Sequence, residues 1–469
     1  MANQQLIAGV DSSTQSVKVV IRDAHTGELV RQGRASHPDG TEVDPAHWLT
    51  GIHAAFKEAG GLDDVDAISI AGQQHGMVAL DSAGEVIRPA LLWNDTRSAS
   101  QAESLNAEIG GNQAIADAVG SVLVASFTAS KIRWMAENEK QNADRVHSIA
   151  LPHDWLSWQL QGGKDFAKLF TDRSDASGTG YFDPKSSNYR RDILSKALLS
   201  NREIHLPTII APSTFGGTTS AGIPIAAGAG DNAAAALGVQ AEPGDVVISL
   251  GTSGTAFAVS TTSTHDSTGA VAGFADASGR FLPLVCTLNA ARIFDAATTI
   301  LGKTHDEVGA LALSSTPGAH GLTLLPYFEG ERTPNRPTAT GVFSGMNIAN
   351  SNPADIARAM IEGMLSGLAD AVASLESLGV EIKRVLIIGG AAKNPAVGQI
   401  ASALFGRPVL IPPAGEYVAD GAAKQAAWAL LGGSTPPVWD LGKATHIEAA
   451  ATPEVLEKYR TLRDATFNW

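Results

Sequence analysis

One cysteine, Cys286, occurs in the 469-residue chain, so no disulfide can close within it. It sits in the apolar run Phe281-Leu-Pro-Leu-Val-Cys and reads as a buried small hydrophobe in a protein of a reducing, cytoplasmic compartment. Basic residues are scarce. Lys and Arg number 34 against 48 Asp and Glu, the net charge is −14, and no basic cluster stands out. That balance argues against nucleic acid or an anionic membrane as the main partner. A small anion remains possible, because backbone amides and a metal ion can hold phosphate locally. The N-terminus lacks the charged region and long apolar core of a secretory signal, and none is expected. Residues 206–230 carry no charge and would be long enough to cross a bilayer. Their Gly, Pro, Ser and Thr content makes a spanning helix a poor reading. A Walker A sequence, a catalytic loop of the protein-kinase type and an HExxH motif are all missing, so the chemistry does not follow those schemes.

Glycine is plentiful, 48 residues against an average usage of roughly 7%. Many glycines follow apolar runs, a pattern that suits an α/β protein bringing its backbone close to phosphate. With 44% apolar and 17% charged residues the composition is globular, and the length allows two or three domains.

Two segments look alike. Leu6-Ile-Ala-Gly-Val-Asp-Ser-Ser-Thr-Gln-Ser-Val-Lys-Val-Val-Ile21 and Val246-Val-Ile-Ser-Leu-Gly-Thr-Ser-Gly-Thr-Ala-Phe-Ala-Val259 each read strand, small polar turn, strand. They lie roughly half a chain apart. We therefore expect a duplicated architecture, one domain over 1–244 and a second over 245–469. Residues 65–71 and 383–390 read as further strands, the latter running into a glycine turn. A helix is expected from Pro353, with Asn352 as its cap and Asp355 in its first turn. Ile361, Leu365, Leu368, Val372 and Leu375 fall on one face, Gly379 can end it, and Gly363 and Gly367 would admit a close neighbour.

The candidate chemistry lies in the turns. The first hairpin offers Gly9, Asp11, Ser12, Ser13, Thr14, Ser16 and Lys18: amides and hydroxyls for phosphate, and a carboxylate for a hydrated Mg²⁺. Taken alone, Asp11 reads first as an ordinary turn cap. Gly251-Thr-Ser-Gly254 repeats the arrangement in the second half. Asp231, between two glycines and an alanine-rich helix, reads as a helix cap or as a general base that takes the proton of a sugar hydroxyl. An ordinary aspartate would be ionised at neutral pH. Gln74 and His75 follow a strand end, where α/β folds bind ligands. His75 reads as structural or as a sugar contact, and Trp93 as core or as a sugar wall. Gly389-Gly-Ala-Ala-Lys-Asn394 could support a nucleotide with backbone alone.

Taken together, these segments resemble the FGGY carbohydrate kinases over nearly the whole chain. Ser126-Phe-Thr-Ala-Ser-Lys-Ile-Arg-Trp-Met-Ala-Glu-Asn138 is similar to the family's N-terminal signature. Gly341-Val-Phe-Ser-Gly-Met346, continuing to Asp355-Ile-Ala-Arg-Ala-Met-Ile-Glu362, is similar to its C-terminal signature. Gln-His-Gly at 74–76 resembles the Met-His-Gly sugar turn of the xylulokinases within that family, with Gln74 in place of the methionine. Trp93-Asn-Asp-Thr-Arg97, the run from Asp172 to Gly178 and Gly330-Glu-Arg-Thr-Pro334 resemble xylulokinase segments too.

The resemblance implies an α/β fold of two actin-like (ribonuclease-H-like) domains flanking a deep cleft, the N-terminal one mainly sugar-binding and the C-terminal one mainly ATP-binding. It implies phosphorylation of D-xylulose by ATP with Mg²⁺. Asp231 would be the catalytic base. Gln74, His75, Trp93, Asp231 and Asn232 would hold the sugar, and Asp11 the metal. Ser13, Thr14, Gly251, Thr252, Gly389, Gly390, Ala391 and Asn394 would meet ATP. The partners expected are the sugar and ATP, with a homodimer left open. Alternatives are a kinase for ribulose or glycerol, a non-catalytic sugar sensor of the same fold, and an actin-like or chaperone-type ATPase.

Overall fold

The computed structural model describes residues 4–467, and they form two compact units. The first comprises the chain up to Ala241 together with Thr261–Pro283 and Gly415–Asp440. The second comprises Glu242–Ser260, Leu284–Ala414 and the chain from Leu441 onward.

The first unit is built on one mixed sheet. Its strands run in the order Phe215–Thr218, Pro224–Ala226, Ala67–Gly72, Leu6–Ser12, Ser16–Asp23, Leu29–Ser36. Ala229–Gly230 pairs with Ala67–Gly72 as well. Leu6–Ser12 is buried throughout and uses both faces, as the period of two demands. Leu6, Ala8 and Val10 enter a core with Trp48, Ile52, Phe56 and Trp155. Ile7 enters a second core with Ala419, Ala423, Ala426 and Trp439.

Helix Ala46–Glu58 covers the first face because Trp48, Ile52, Ala55 and Phe56 recur at helical spacing. Trp48 meets the edge of Trp155, ring centroids 6.3 Å apart at 75°. Burying each such large side chain contributes about 1.5–3 kcal/mol. Helix Tyr417–Leu431 covers the other face at very short range. A Cβ on Gly9 would lie 2.0 Å from the Ala419 carbonyl oxygen, and one on Gly421 would lie 1.8 Å from that of Ala234. Small residues are required there by backbone approach rather than by turn geometry.

The second unit repeats the plan. Asp245–Leu250 and Gly254–Ala258 form an antiparallel hairpin, as Leu6–Ser12 and Ser16–Asp23 do. A parallel strand lies beside the first strand of each hairpin: Arg384–Ile388 here, Ala67–Gly72 there. Residues 284–287, with the buried Cys286, pair with Gly254–Ala258 on the far side. Val409–Ile411 and Thr445–Ile447 extend the sheet beyond Arg384–Ile388. The expected helix spans Pro353–Ser377, and the Asn352 side chain accepts from the amides of Ala354 and Asp355. Gly363 does admit a close neighbour, with the Leu324 carbonyl 2.6 Å from where its Cβ would lie. At Gly367 the nearest group, the Tyr459 hydroxyl, is at an ordinary 3.5 Å.

Among the described residues no helix is long and apolar enough to cross a membrane. Residues 206–230 instead hold the short strands Thr208–Ile209, Phe215–Thr218, Pro224–Ala226 and Ala229–Gly230.

Candidate active site

Three adjacent parallel strands of the first unit end at one level. Ser12 is in register with Gly72, and Gly72 with Gly230. The chain therefore leaves the sheet side by side at the Ser13–Thr14 turn, at Gln73-Gln74-His75 and at Asp231. Carboxyl ends of parallel strands are where open α/β sheets bind ligands.

Asp11 is buried one residue before the end of its strand. Its Oδ1 accepts a short hydrogen bond from the Ser13 hydroxyl, and its Oδ2 lies 3.9 Å from Lys18 Nζ. Burial raises its pKa to about 6 against the opposing pull of Ser13 and Lys18. Lys18 is shared with Glu416, 2.6 Å away, from the segment that returns to the first unit.

Asp231 opens helix Asp231–Gly238 but does not cap it. The cap position belongs to Gly230, and no side-chain cap bond is made. The Asp231 carboxylate instead accepts from the backbone amide and the side-chain amide of Asn232, both at 2.8 Å. Burial, and then the charge of Asp11, raise it to about 7 in spite of those two donors. This departs from the ordinary, fully ionised aspartate expected from the sequence, because partial burial strips some of the carboxylate's hydration and a second acid lies nearby.

His75 is buried with φ +70°. Its Nδ1–H donates to the Gly178 carbonyl at 2.7 Å. The ring packs against Phe127 and Phe274, centroids 4.9 and 5.7 Å away. Gln74 is drawn the other way. Its amide donates to the Ser174 carbonyl at 2.9 Å and its stem fills the space beside Gly230. Trp93 is half-buried and donates from Nε1 to Thr14 Oγ1 at 2.9 Å, tying the expected sugar wall to the first hairpin turn.

In the second unit the same strand-end logic holds. Ser249 is in register with Ile388, so Gly251-Thr252 and Gly389-Gly390 emerge beside each other, and all four are exposed. A Cβ on Gly390 would meet nothing within 4 Å, whereas one on Gly389, at φ +103°, would strike the Leu250 carbonyl. Ala391 is buried in the single turn Gly390–Lys393. Asn394 is engaged inside the unit: its Oδ1 caps helix Pro395–Phe405 at Ala396 N, 3.0 Å, and its Nδ2 donates to the His305 carbonyl at 2.9 Å.

Two stretches match known domains in the same order as these sites. Residues 6–238 match the N-terminal domain of the FGGY family of carbohydrate kinases, and residues 246–430 match its C-terminal domain. The chain belongs to the FGGY family. A xylulose kinase of Streptomyces coelicolor is 41% identical over 97% of this chain and 94% of its own length. One of Escherichia coli is 33% identical over 85% of this chain and 84% of its own. The crystal structure of xylulose kinase from Bifidobacterium adolescentis superposes with a TM-score of 0.91 at 47% identity, covering 98% of this chain and 99% of that one.

In this FGGY chain, sequence reasoning missed Glu416, which lies 398 residues from Lys18, and the aromatic bed of His75. It also missed a buried His153–Asp154–Asp175 cluster. One signal for the cluster was available: His153-Asp154 is a polar pair set between the apolar residues Ile149 to Leu151 and Trp155-Leu156.

Proposed function

We propose that this protein transfers the γ-phosphoryl group of ATP to the 5-hydroxyl of D-xylulose, giving D-xylulose 5-phosphate and ADP. One observation carries the reading. Asp11, the Gln74-His75 turn and Asp231 leave three adjacent parallel strands at one level, and Asp231 is a carboxylate poised near neutrality. The likeness to xylulose kinases along almost the full chain supports the choice of sugar.

Asp231 accepts the hydroxyl proton as the sugar oxygen bonds to the γ-phosphorus and the bond to ADP breaks. A base with a pKa near the working pH suits this role, being about half ionised yet basic enough to hold the proton. Asn232 fixes the carboxylate through two hydrogen bonds. His75 hydrogen-bonds a sugar hydroxyl, while Trp93 offers an aromatic face. In the second unit Gly251, Thr252, Gly389 and Gly390 present backbone groups to a nucleotide; in the first, Ser13 and Thr14 present hydroxyls beside Asp11. Asp11 fits a hydrated Mg²⁺: it is a buried carboxylate beside one cation, with the Ser13 hydroxyl bonded to it. When bound, that ion would offset charge on the phosphates. A single buried cysteine suits the cytoplasm, and we propose that location.

The test is an ADP-release assay with MgATP over a panel of pentoses, pentitols and glycerol. D-Xylulose should give the highest kcat/KM. A preference for ribulose or glycerol would replace the sugar. Release without any sugar would favour an ATPase, and no release at all a sensor.

A further inference from the structure

His153 is fully buried at the start of helix Pro152–Leu160. Its Nδ1 lies 2.6 Å from Asp175 Oδ2 and 3.0 Å from Asp154 Oδ1, and its Nε2 lies 3.2 Å from the Ala227 carbonyl oxygen. A carbonyl can only accept, so Nε2 carries a hydrogen. A second proton must sit between Nδ1 and Asp175. With both ring nitrogens engaged through protons, the imidazole offers no lone pair to a metal ion. Burial works against charge on the imidazole, but Asp154 and Asp175 outweigh it and hold His153 well above its usual pKa.

The residues His153 touches lead to the proposed base. Ala227 is four residues before Asp231. Gly228, at φ +81°, has no room for a side chain, since a Cβ there would fall 2.3 Å from the His153 ring and 2.6 Å from the Ile70 carbonyl. Gly72 presses on the His153 backbone from the neighbouring strand end. Asp175 belongs to helix Arg173–Ala176, whose Ser174 accepts from Gly230 N through its hydroxyl at 3.0 Å and from Gln74 Nε2 through its carbonyl at 2.9 Å.

We propose that His153 is the positioning residue of the Asp231 loop: its imidazole bridges Asp175 and the Ala227 carbonyl, fixing the backbone from Ala227 to Gly230 and hence the aim of the Asp231 carboxylate. This rests on the reading of Asp231 as the base. His153 itself touches no reacting atom.

A double-mutant cycle on the full chain with D-xylulose and MgATP tests it. His153→Gln, whose two donor hydrogens share one nitrogen and cannot span acceptors on opposite sides of the imidazole, should fold by circular dichroism, keep its KM for ATP and lose about tenfold or more in kcat. In an Asp231→Asn background His153→Gln should cost almost nothing further, because the group it aims is already gone. If His153→Gln does not fold, Asp175→Asn is read through the same cycle. Equal losses in the two backgrounds, or a native kcat in His153→Gln, would overturn the assignment to His153. A native rate in Asp231→Asn alone would instead remove the base, and the role given to His153 with it.

Discussion

Asp11 raises the pKa of Asp231. With part of its water removed by burial, the Asp231 carboxylate also meets the charge of Asp11, and the two effects bring it to about 7. The sign for catalysis follows. A base must be ionised in the free enzyme, so kcat/KM for D-xylulose should rise with pH through about pH 7 and level off above it. A profile already flat from pH 5 would show that Asp231 is an ordinary carboxylate or is not the base.

Linkage gives the same shift a second consequence. A carboxyl whose folded pKa lies above its unfolded value keeps its proton more firmly in the native state. Stability from that source is present below the unfolded pKa and is lost as pH rises from about 4 through about 7. Asp231→Asn removes the titration. Its unfolding free energy should therefore gain on wild type at pH 8 relative to pH 5, by an amount on the order of 1 kcal/mol. Calorimetric melting at the two pH values checks it. An equal difference at both would contradict the raised pKa.

His75 sits at φ +70°, a conformation asparagine tolerates better than alanine. His75→Asn should therefore melt above His75→Ala. Both should raise the apparent KM for the sugar by about 2- to 13-fold, the worth of one neutral hydrogen bond at 0.5–1.5 kcal/mol, while the KM for ATP stays put. Steady-state kinetics with circular dichroism separates this from a purely structural role, in which stability falls and sugar affinity does not.

Gly390 and Gly389 should part company. Gly390 faces open space, so Gly390→Leu should melt like wild type yet bind ATP more weakly, about tenfold or more, if the nucleotide approaches that turn. Gly389→Ala meets the Leu250 carbonyl at positive φ and should lower stability instead. Titration calorimetry with unchanged ATP affinity in Gly390→Leu would refute this siting of the nucleotide.

What could be read from the sequence was local. Both hairpins, the strands beside them and the capped helix Pro353–Ser377 follow from period, turn chemistry and capping, with strand ends displaced by only a few residues: 65–71 became Ala67–Gly72, and 383–390 became Arg384–Ile388. The choice at Asp231 between cap and base was open in the sequence because both roles want the same residue in the same place. Only the observed hydrogen bonds to Asn232, with the cap position at Gly230, remove the capping role. Long-range partners left no local trace. Helix Tyr417–Leu431 is merely alanine-rich until it is seen against Gly9, and nothing near Lys18 announces Glu416.

The most direct measurement is the turnover number of Asp231→Asn with saturating D-xylulose and MgATP, taken beside binding isotherms for both ligands. The amide keeps the size of the carboxylate but cannot take the proton. General-base assistance is typically worth about 10²–10⁴-fold. We predict a folded protein that binds ATP and sugar and has lost kcat by about that factor. Near-native turnover would contradict the account and remove Asp231 from the mechanism.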